Sequence, residues 1–436
     1  MAPENTVLPD ATLGVCLFLI FLVPLAGAGI SLINTGLNRS RSAAHGIVAA
    51  LSVASLAVLV YVICGFAWEG LSGQPGYVIG LGGKAWNWIA AGPLFLRGVE
   101  FAGSPGGPIV LLQMFSVALA AMIPLGSAAE RWRLGACCAS TALVAGWTYP
   151  LFAHWVWGGG WLAQLGVNYG LGHGFVDAGG AAPIQAVGGL TALAVSWILG
   201  SRRGKFTSDG IPTAMPGHNA VLVLFGCMLS LVGWLGLNCA GAILFTGAKP
   251  ALSVLVAVNT TLAGSSAALA SLAITRVRFG KPDASLTANG WIAGLVASSA
   301  GGPFLRPAEA VLIGLVAGAL VIFAIELIEL RMGVDDPGGA ISVHGVGGMW
   351  GVLAVGIFAH LPGTSDDSGQ FLAQLIGIAT LIGFMLPLTY GLNWILNRFL
   401  PQRVAEEGER QGMDLFELGA GAYPEFVTHR EDFTRR

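Results

Sequence analysis

Charge is what this sequence lacks most. Only 10% of its 436 residues are Asp, Glu, Lys or Arg, against 55% hydrophobic. Mean hydropathy is +0.74. A soluble domain of that composition could not cover its surface with polar groups. Long apolar stretches recur from end to end, so the class is a polytopic helical membrane protein. The net charge of −2 gives no sign of nucleic-acid binding. Residues 1–10 hold no basic residue and two acids, Glu4 and Asp10. That is not the n-region of a signal peptide, and a retained first helix is expected. Metal-ligand spacing is missing too. The six cysteines lie in or beside apolar segments and read as small buried side chains. The seven histidines are scattered. With no nucleophile–base set and no phosphate loop, neither an enzyme nor a cofactor is expected.

What is present is glycine, 65 residues of it, with 21 prolines. In a membrane bundle these mean close helix contacts and locally broken helices. Eleven spans are predicted, at about 11–34, 45–69, 109–129, 134–156, 180–200, 219–240, 250–274, 286–302, 308–330, 340–360 and 370–397. Gly301, Gly302 and Pro303 cut the eighth short. Basic residues alternate with the loops. Arg39, Arg41, Arg131, Arg133, Arg202, Arg203, Lys205, Arg276, Arg278, Lys281 and Arg331 fall on one side. Only Lys84, Arg97, Lys249 and Arg306 fall on the other. This bias predicts the N-terminus outside and the C-terminus in the cytoplasm. Residues 1–400 are read as a transmembrane channel domain, with halves at about 11–200 and 219–360 and a final helix at 370–397. Residues 401–436 are read as a polar cytoplasmic tail, able to dock on inner loops or a soluble partner.

Polar residues inside apolar spans are costly and therefore informative. His344 opens one such span, eight residues after Asp336. Gln185 stands eight after Asp177 near the start of the fifth. One pair enters the membrane from outside and the other from inside, which suggests an inverted five-plus-five repeat. Asn238 reads as structural glue or a cavity liner. Trp157, beside Gly158-Gly159-Gly160, could attract a small cation through its ring. On the sequence alone the reading as an interfacial belt residue is favoured, since 13 tryptophans are there to supply one.

Several stretches taken in order resemble the ammonium transporter and Rhesus-protein family over nearly the whole chain. They are Ala153-His154-Trp155-Val156-Trp157-Gly158-Gly159, Ala129-Glu130-Arg131, His218-Asn219, Gly233-Trp234-Leu235-Gly236-Leu237-Asn238, Val343-His344-Gly345-Val346-Gly347-Gly348, and Glu406 to Asp414 in the tail. The resemblance implies an all-α protomer of eleven helices with an inverted repeat, assembled as a homotrimer with one pore per subunit. It implies ammonium/ammonia as substrate, a bacterial inner membrane, and a possible PII-type signal protein at the cytoplasmic face and tail. It places Asp177 as a structural aspartate at the vestibule, Trp157 as the recruitment tryptophan and His344 as the second of two pore histidines.

The same comparison implies departures along the conduction path. The first pore histidine falls on Gln185 if counted from Asp177. It falls on Ile184 if Ala178-Gly179-Gly180 sets the register. The two gate phenylalanines fall on Ser116 and Leu237, the recruitment serine on Gly241, and a further aspartate on Gly339. Glutamine does not titrate, so Gln185 could share a hydrogen bond with His344 but not a proton relay. The smaller residues at 116 and 237 are expected to loosen the gate. The favoured expectation is ammonium/ammonia transport. The alternatives are a sensing or regulatory member with weak conduction, or a channel for another small solute.

Overall fold

The computed structural model describes residues 8–71, 76–363 and 368–424. Residues 425–436 of the predicted tail and 364–367 of the predicted 361–369 connection lie outside the described residues. Among the described residues ten helices are long and apolar enough to cross a membrane. In chain order these are α1 (Asp10–Leu37), α2 (Ser40–Glu69), α3 (Gly106–Ser127), α4 (Leu134–Val156), α5 (Ala181–Leu199), α6 (Ala220–Thr246), α7 (Pro250–Phe279), α9 (Pro307–Arg331), α10 (Ile341–Phe358) and α11 (Gln370–Phe399). The predicted eighth span is the shorter helix α8, Ala284–Ser298, of 15 residues. At 1.5 Å per residue it reaches only about 22 Å, short of a hydrocarbon core of ~30 Å. The chain turns at Gly302–Phe304 before α9 begins.

One departure from an all-helical chain lies in the long connection after α2. There β1 (Tyr77–Leu81) pairs antiparallel with β2 (Lys84–Ile89). Gly82 and Gly83, both at positive φ, make the two-residue turn that closes it.

Burial ranks the helices. In its most apolar stretch α5 is 89% buried and α3 78%, whereas α2 and α11 are 28% buried. So α5 and α3 are central, while α2 and α11 leave most of their surface for lipid. No hydrophobic force draws helices together in lipid, so close packing must do it. A Cβ on Gly233 of α6 would lie 2.0 Å from the backbone nitrogen of Ala26 on α1. A Cβ on Gly314 of α9 would lie 2.2 Å from the carbonyl of Ala263 on α7. Polar side chains set helix starts. Asn219 accepts from the N–H groups of Val221 and Leu222, each at 3.0 Å, at the head of α6.

The described part of the tail folds back on the ends of the bundle that carry the basic loops. Gln402 accepts from the Trp132 indole at 3.0 Å. The Arg403 guanidinium reaches the carbonyls of Leu199 and Ser201, at 2.7 and 2.8 Å. Asp414 accepts from the N–H groups of Ala44 and His45 near the start of α2, at 3.2 and 2.7 Å.

Two glycines test this packing. Gly233→Val is expected to lower the melting temperature of the purified protein in detergent sharply, an overpacking cost of at least ~2 kcal/mol. Gly391→Ala, at a helical position with nothing within 4 Å, is expected to leave it unchanged or raise it by up to about 1 kcal/mol.

Candidate functional site

The site is built from two carboxylates that satisfy backbone groups inside the bundle. The first turn of a helix leaves N–H groups without partners, and hydrocarbon offers none. Asp177 Oδ1 accepts from the N–H groups of Gly179, Gly180 and Ala181, at 3.3, 2.7 and 3.1 Å. Its Oδ2 accepts from Ala182 at 2.7 Å. Asp336 accepts from Ala340 and Ile341, both at 2.9 Å. Bonds four and five residues ahead are thus common to both. Both helices also open with a widened π turn, Ala181–Ala186 in α5 and Ile341–Val346 in α10.

The two helices run in opposite directions. α5 sets out from Asp177 and ends near Arg202, whose guanidinium forks onto Asp335 at 2.9 and 3.0 Å. Asp336, the neighbour of Asp335, is where α10 sets out. The helices meet at glycines. A Cβ on Gly189 would lie 2.2 Å from the Gly345 nitrogen, and one on Gly348 would lie 2.4 Å from the Ala181 carbonyl.

At that crossing His344 Nδ1 lies 2.7 Å from Gln185 Oε1. Ile184 is not the partner: it is fully buried in the apolar core. An amide oxygen only accepts, so Nδ1 carries the proton and Nε2 keeps its lone pair. The Gln185 amide nitrogen is buried without a partner. Below the pair is a cavity of about 20 Å³ lined by His344, Ile30, Ile33, Ile123, Ile292 and Val343, with Asn34 and Asn289 among the polar groups. It is large enough for one water-sized molecule.

The Trp157 end differs from expectation. The Trp157 indole donates to the Asp177 carbonyl at 2.7 Å. Its ring stacks on Phe245, with centroids 4.2 Å apart and planes at 12°. Gly241, expected at the recruitment site, is buried, and a Cβ there would lie 2.5 Å from the Ala178 carbonyl. It lets α6 pass under the Asp177 turn and does not line an open mouth. Phe245, one helical turn on, is the α6 residue beside Trp157. Ser116 and Leu237 are both fully buried, so their smaller side chains leave no open gate. Ser116 Oγ turns back to the Leu112 carbonyl at 2.8 Å, and Leu237 packs in the core with Ile184 and Trp234. Asn238 donates to the hydroxyls of Thr260 and Ser298, at 3.0 and 3.2 Å, tying α6 to α7 and α8.

Sequence reasoning missed three things. One is Phe245, which a helical count of four from Gly241 would have found. Another is the closeness of the repeat. Residues 177–190 and 336–349 share seven of fourteen positions: the aspartate, Gly179/Gly338, Gly180/Gly339, Ala181/Ala340, Val187/Val346, Gly188/Gly347 and Gly189/Gly348. The third is Glu69, the acid at the end of apolar α2. Tyr61 and Gln113 donate to it, and Tyr149 donates to Gln113.

At the opposite end of α5 a buried ionic cluster ties four loops. Glu130, at φ 67, pairs with Arg39 and accepts from Arg202 at 2.8 Å. Arg202 also holds Asp335, and Arg131 donates to the Asp335 carbonyl at 2.9 Å. Burial alone would push the Asp335 carboxyl up. Arg202 and Arg131 outweigh it and hold it below the ordinary carboxylate range. For Asp336 burial wins and raises its pKa to about 6, against N–H bonds from Ile341 and Ala340.

A family model described as Ammonium Transporter Family matches residues 11–423. The chain is 35% identical over 428 residues to ammonium transporter Amt2 of Archaeoglobus fulgidus, covering 93% of this chain and 87% of that protein. It is 31% identical to the ammonium transporter of Bacillus subtilis, covering 93% and 96%. Among solved structures, one titled Sensor Amt Protein aligns with TM-score 0.84 at 28% identity, covering 92% of this chain and 97% of that one. Mep2 of Candida albicans aligns with TM-score 0.81 at 25% identity, covering 99% and 94%.

Arg202→Ala leaves Asp335 and Glu130 buried without their shared partner. It is expected to cost about 3–5 kcal/mol, seen as a lowered melting temperature in detergent. Arg202→Lys should recover only part, because an ammonium cannot fork across two carboxylates. In the wild type the Asp335 contribution is present above the ordinary carboxylate pKa and is lost as pH falls through its depressed value.

Proposed function

The chain belongs to the ammonium transporter family, and from that premise we propose how its pore moves ammonium/ammonia across the membrane. The observation that carries the reading is the Gln185–His344 hydrogen bond at the crossing of two oppositely directed helices. The cation collects at the Trp157 end, where an aromatic face attracts it. Shedding its hydration shell penalises the charged form and favours loss of a proton. The neutral species then passes the Gln185–His344 waist into the small cavity beneath. Gln185 holds His344 in one tautomer, with Nε2 free to accept a hydrogen bond from an N–H of the passing molecule. Bare sodium or potassium is refused because the apolar walls cannot replace its water.

This assigns the waist to Gln185 and His344, the mouth to Trp157 with Phe245, and structural roles to Asp177, Asp336 and Asn238. Ser116, Leu237 and Gly241 become packing positions along the path. Named relatives are ammonium transporters, which supports transport over sensing and over enzymatic function. The reading extends to a homotrimer with one pore per protomer, in a bacterial inner membrane. The basic loops and the tail face the cytoplasm, in accord with the charge bias. The docked tail and its adjoining loops then form the face available to a PII-type signal protein.

The test is an ammonium pulse applied to proteoliposomes containing an internal pH dye. A rise in internal pH above that of empty vesicles is expected. No pH change and no current would refute transport. Gln185→Leu, which leaves His344 Nδ1 without its acceptor, is expected to cut the flux at least about tenfold while the protein stays folded.

A further inference from the structure

Two glutamines on α11 hold the segment that leads into the Asp177 turn. Residues 170–176 are neither helix nor strand. Such backbone is tolerated inside a membrane bundle only where the protein supplies partners for its N–H and C=O groups. The Gln374 amide supplies both for Val176. Its Oε1 accepts from the Val176 N–H at 2.9 Å, and its Nε2 donates to the Val176 carbonyl at 2.8 Å. One turn back, Gln370 Oε1 accepts from the His173 N–H at 2.9 Å and its Nε2 donates to the Gly174 carbonyl at 2.8 Å. Each amide stands in for a peptide group.

The surroundings are shaped for this contact. Gln370, Gln374 and Gly377 lie at i, i+4 and i+7, on one face of α11. Both glutamines are buried. A Cβ on Gly377 would lie 2.0 Å from the Phe175 ring, so glycine there lets that ring lie against the helix. A Cβ on Gly172, at φ 53, would lie 2.5 Å from Gln370 Oε1. Gln374 Nε2 also donates to the Val352 carbonyl on α10, at 3.1 Å. The clamp therefore ties the segment to the helix that carries His344.

The mouth follows directly. Val176 precedes Asp177, whose carbonyl accepts from the Trp157 indole at 2.7 Å. On the other side Ala178 donates to the Ala300 carbonyl at 2.9 Å. The Asp177 carbonyl is thus fixed from both sides, and the Trp157 ring takes its position from it. The chemistry of the clamp suits the place. At the basic end Arg202 holds the segment before Asp336, by its fork onto Asp335. A guanidinium at the mouth would set positive charge near an incoming cation. An amide donates and accepts while carrying none.

We propose that Gln370 and Gln374 are positioning residues for ammonium entry, through which α11 fixes the Asp177 carbonyl and, by way of it, the Trp157 ring that receives the cation. Neither glutamine touches the cation. Gln374 acts through Val176 and Asp177, and Gln370 supports the stretch before them. The inference rests on the transport reading above and gives α11, the one long helix outside the two repeated halves, a part in substrate affinity.

The test uses the full-length protein in proteoliposomes and measures flux against ammonium concentration. Gln374→Met keeps the side-chain length and removes the amide. Its half-saturating concentration should rise on the order of tenfold, since a displacement of roughly 1 Å can cost up to about a hundredfold. Maximal flux should stay within about twofold, because the waist is untouched. In a Trp157→Leu background the same substitution should add less than about twofold, since residues that act through one another are non-additive. Gln370→Met leaves the Val176 and Val352 bonds in place. It should give a smaller rise in the same direction, and it serves if Gln374→Met does not fold. An unchanged half-saturating concentration in the folded variant overturns the inference. So does a fall in maximal flux alone, or a full multiplication of the Gln374 and Trp157 effects, the pattern of a purely structural residue. Wild-type vesicles without flux would sink the transport reading and this inference with it. Wild-type flux with no shift in the variants sinks this inference alone.

Discussion

A backbone N–H inside hydrocarbon must find a partner within the protein, and the centre of this molecule is organised around two solutions to that demand. Asp177 and Asp336 each cap a helix that begins part-way into the bundle. With the first turns held by side chains, the two helices can start there and point the residues eight after each aspartate at one another. Glycines at the crossing let the backbones approach until Gln185 and His344 share a hydrogen bond. That hydrogen bond is therefore a consequence of helix capping, and it depends on both carboxylates.

The two ends of the pore are stabilised differently. At the basic end the ionic groups are paired: Glu130, Arg202 and Asp335 form a closed set, with Arg39 and Arg131 joined to it. The tail adds Arg403, Glu409 and Asp414 over the same loops. Those contacts hold the helix ends in register. At the Trp157 end the buried acid Glu69 is held by hydrogen bonds alone, from Tyr61 and Gln113.

Much of the architecture was legible in order along the chain. Apolar length located the helices, and arginine alternation between loops ordered them. The equal spacing of Asp177 to Gln185 and Asp336 to His344 revealed the repeat. The eighth segment was legible as a weak one because Gly301-Gly302-Pro303 cuts it, and α8 is indeed too short to span alone. What was misread concerns shape. Ser116 and Leu237 are smaller than phenylalanine, and a smaller side chain suggests an open gate. The helices instead close around both. Gly241 was assigned to the mouth by register, yet it is where two backbones touch.

The sequence by itself determined the class, the helix order, the inverted pair and His344 as a polar residue inside a span. These follow from hydropathy and from fixed spacings along one helix, which are local properties. The tertiary structure decided which register brings Gln185 to His344 and turns Ile184 into the core. It placed Phe245 on Trp157, and it set Glu69 against Gln113 and the α4 residues Tyr149 and His154. Those pairings join residues tens of positions apart. They depend on how closely glycine-lined helices approach, and spacing along the chain carries no record of that distance.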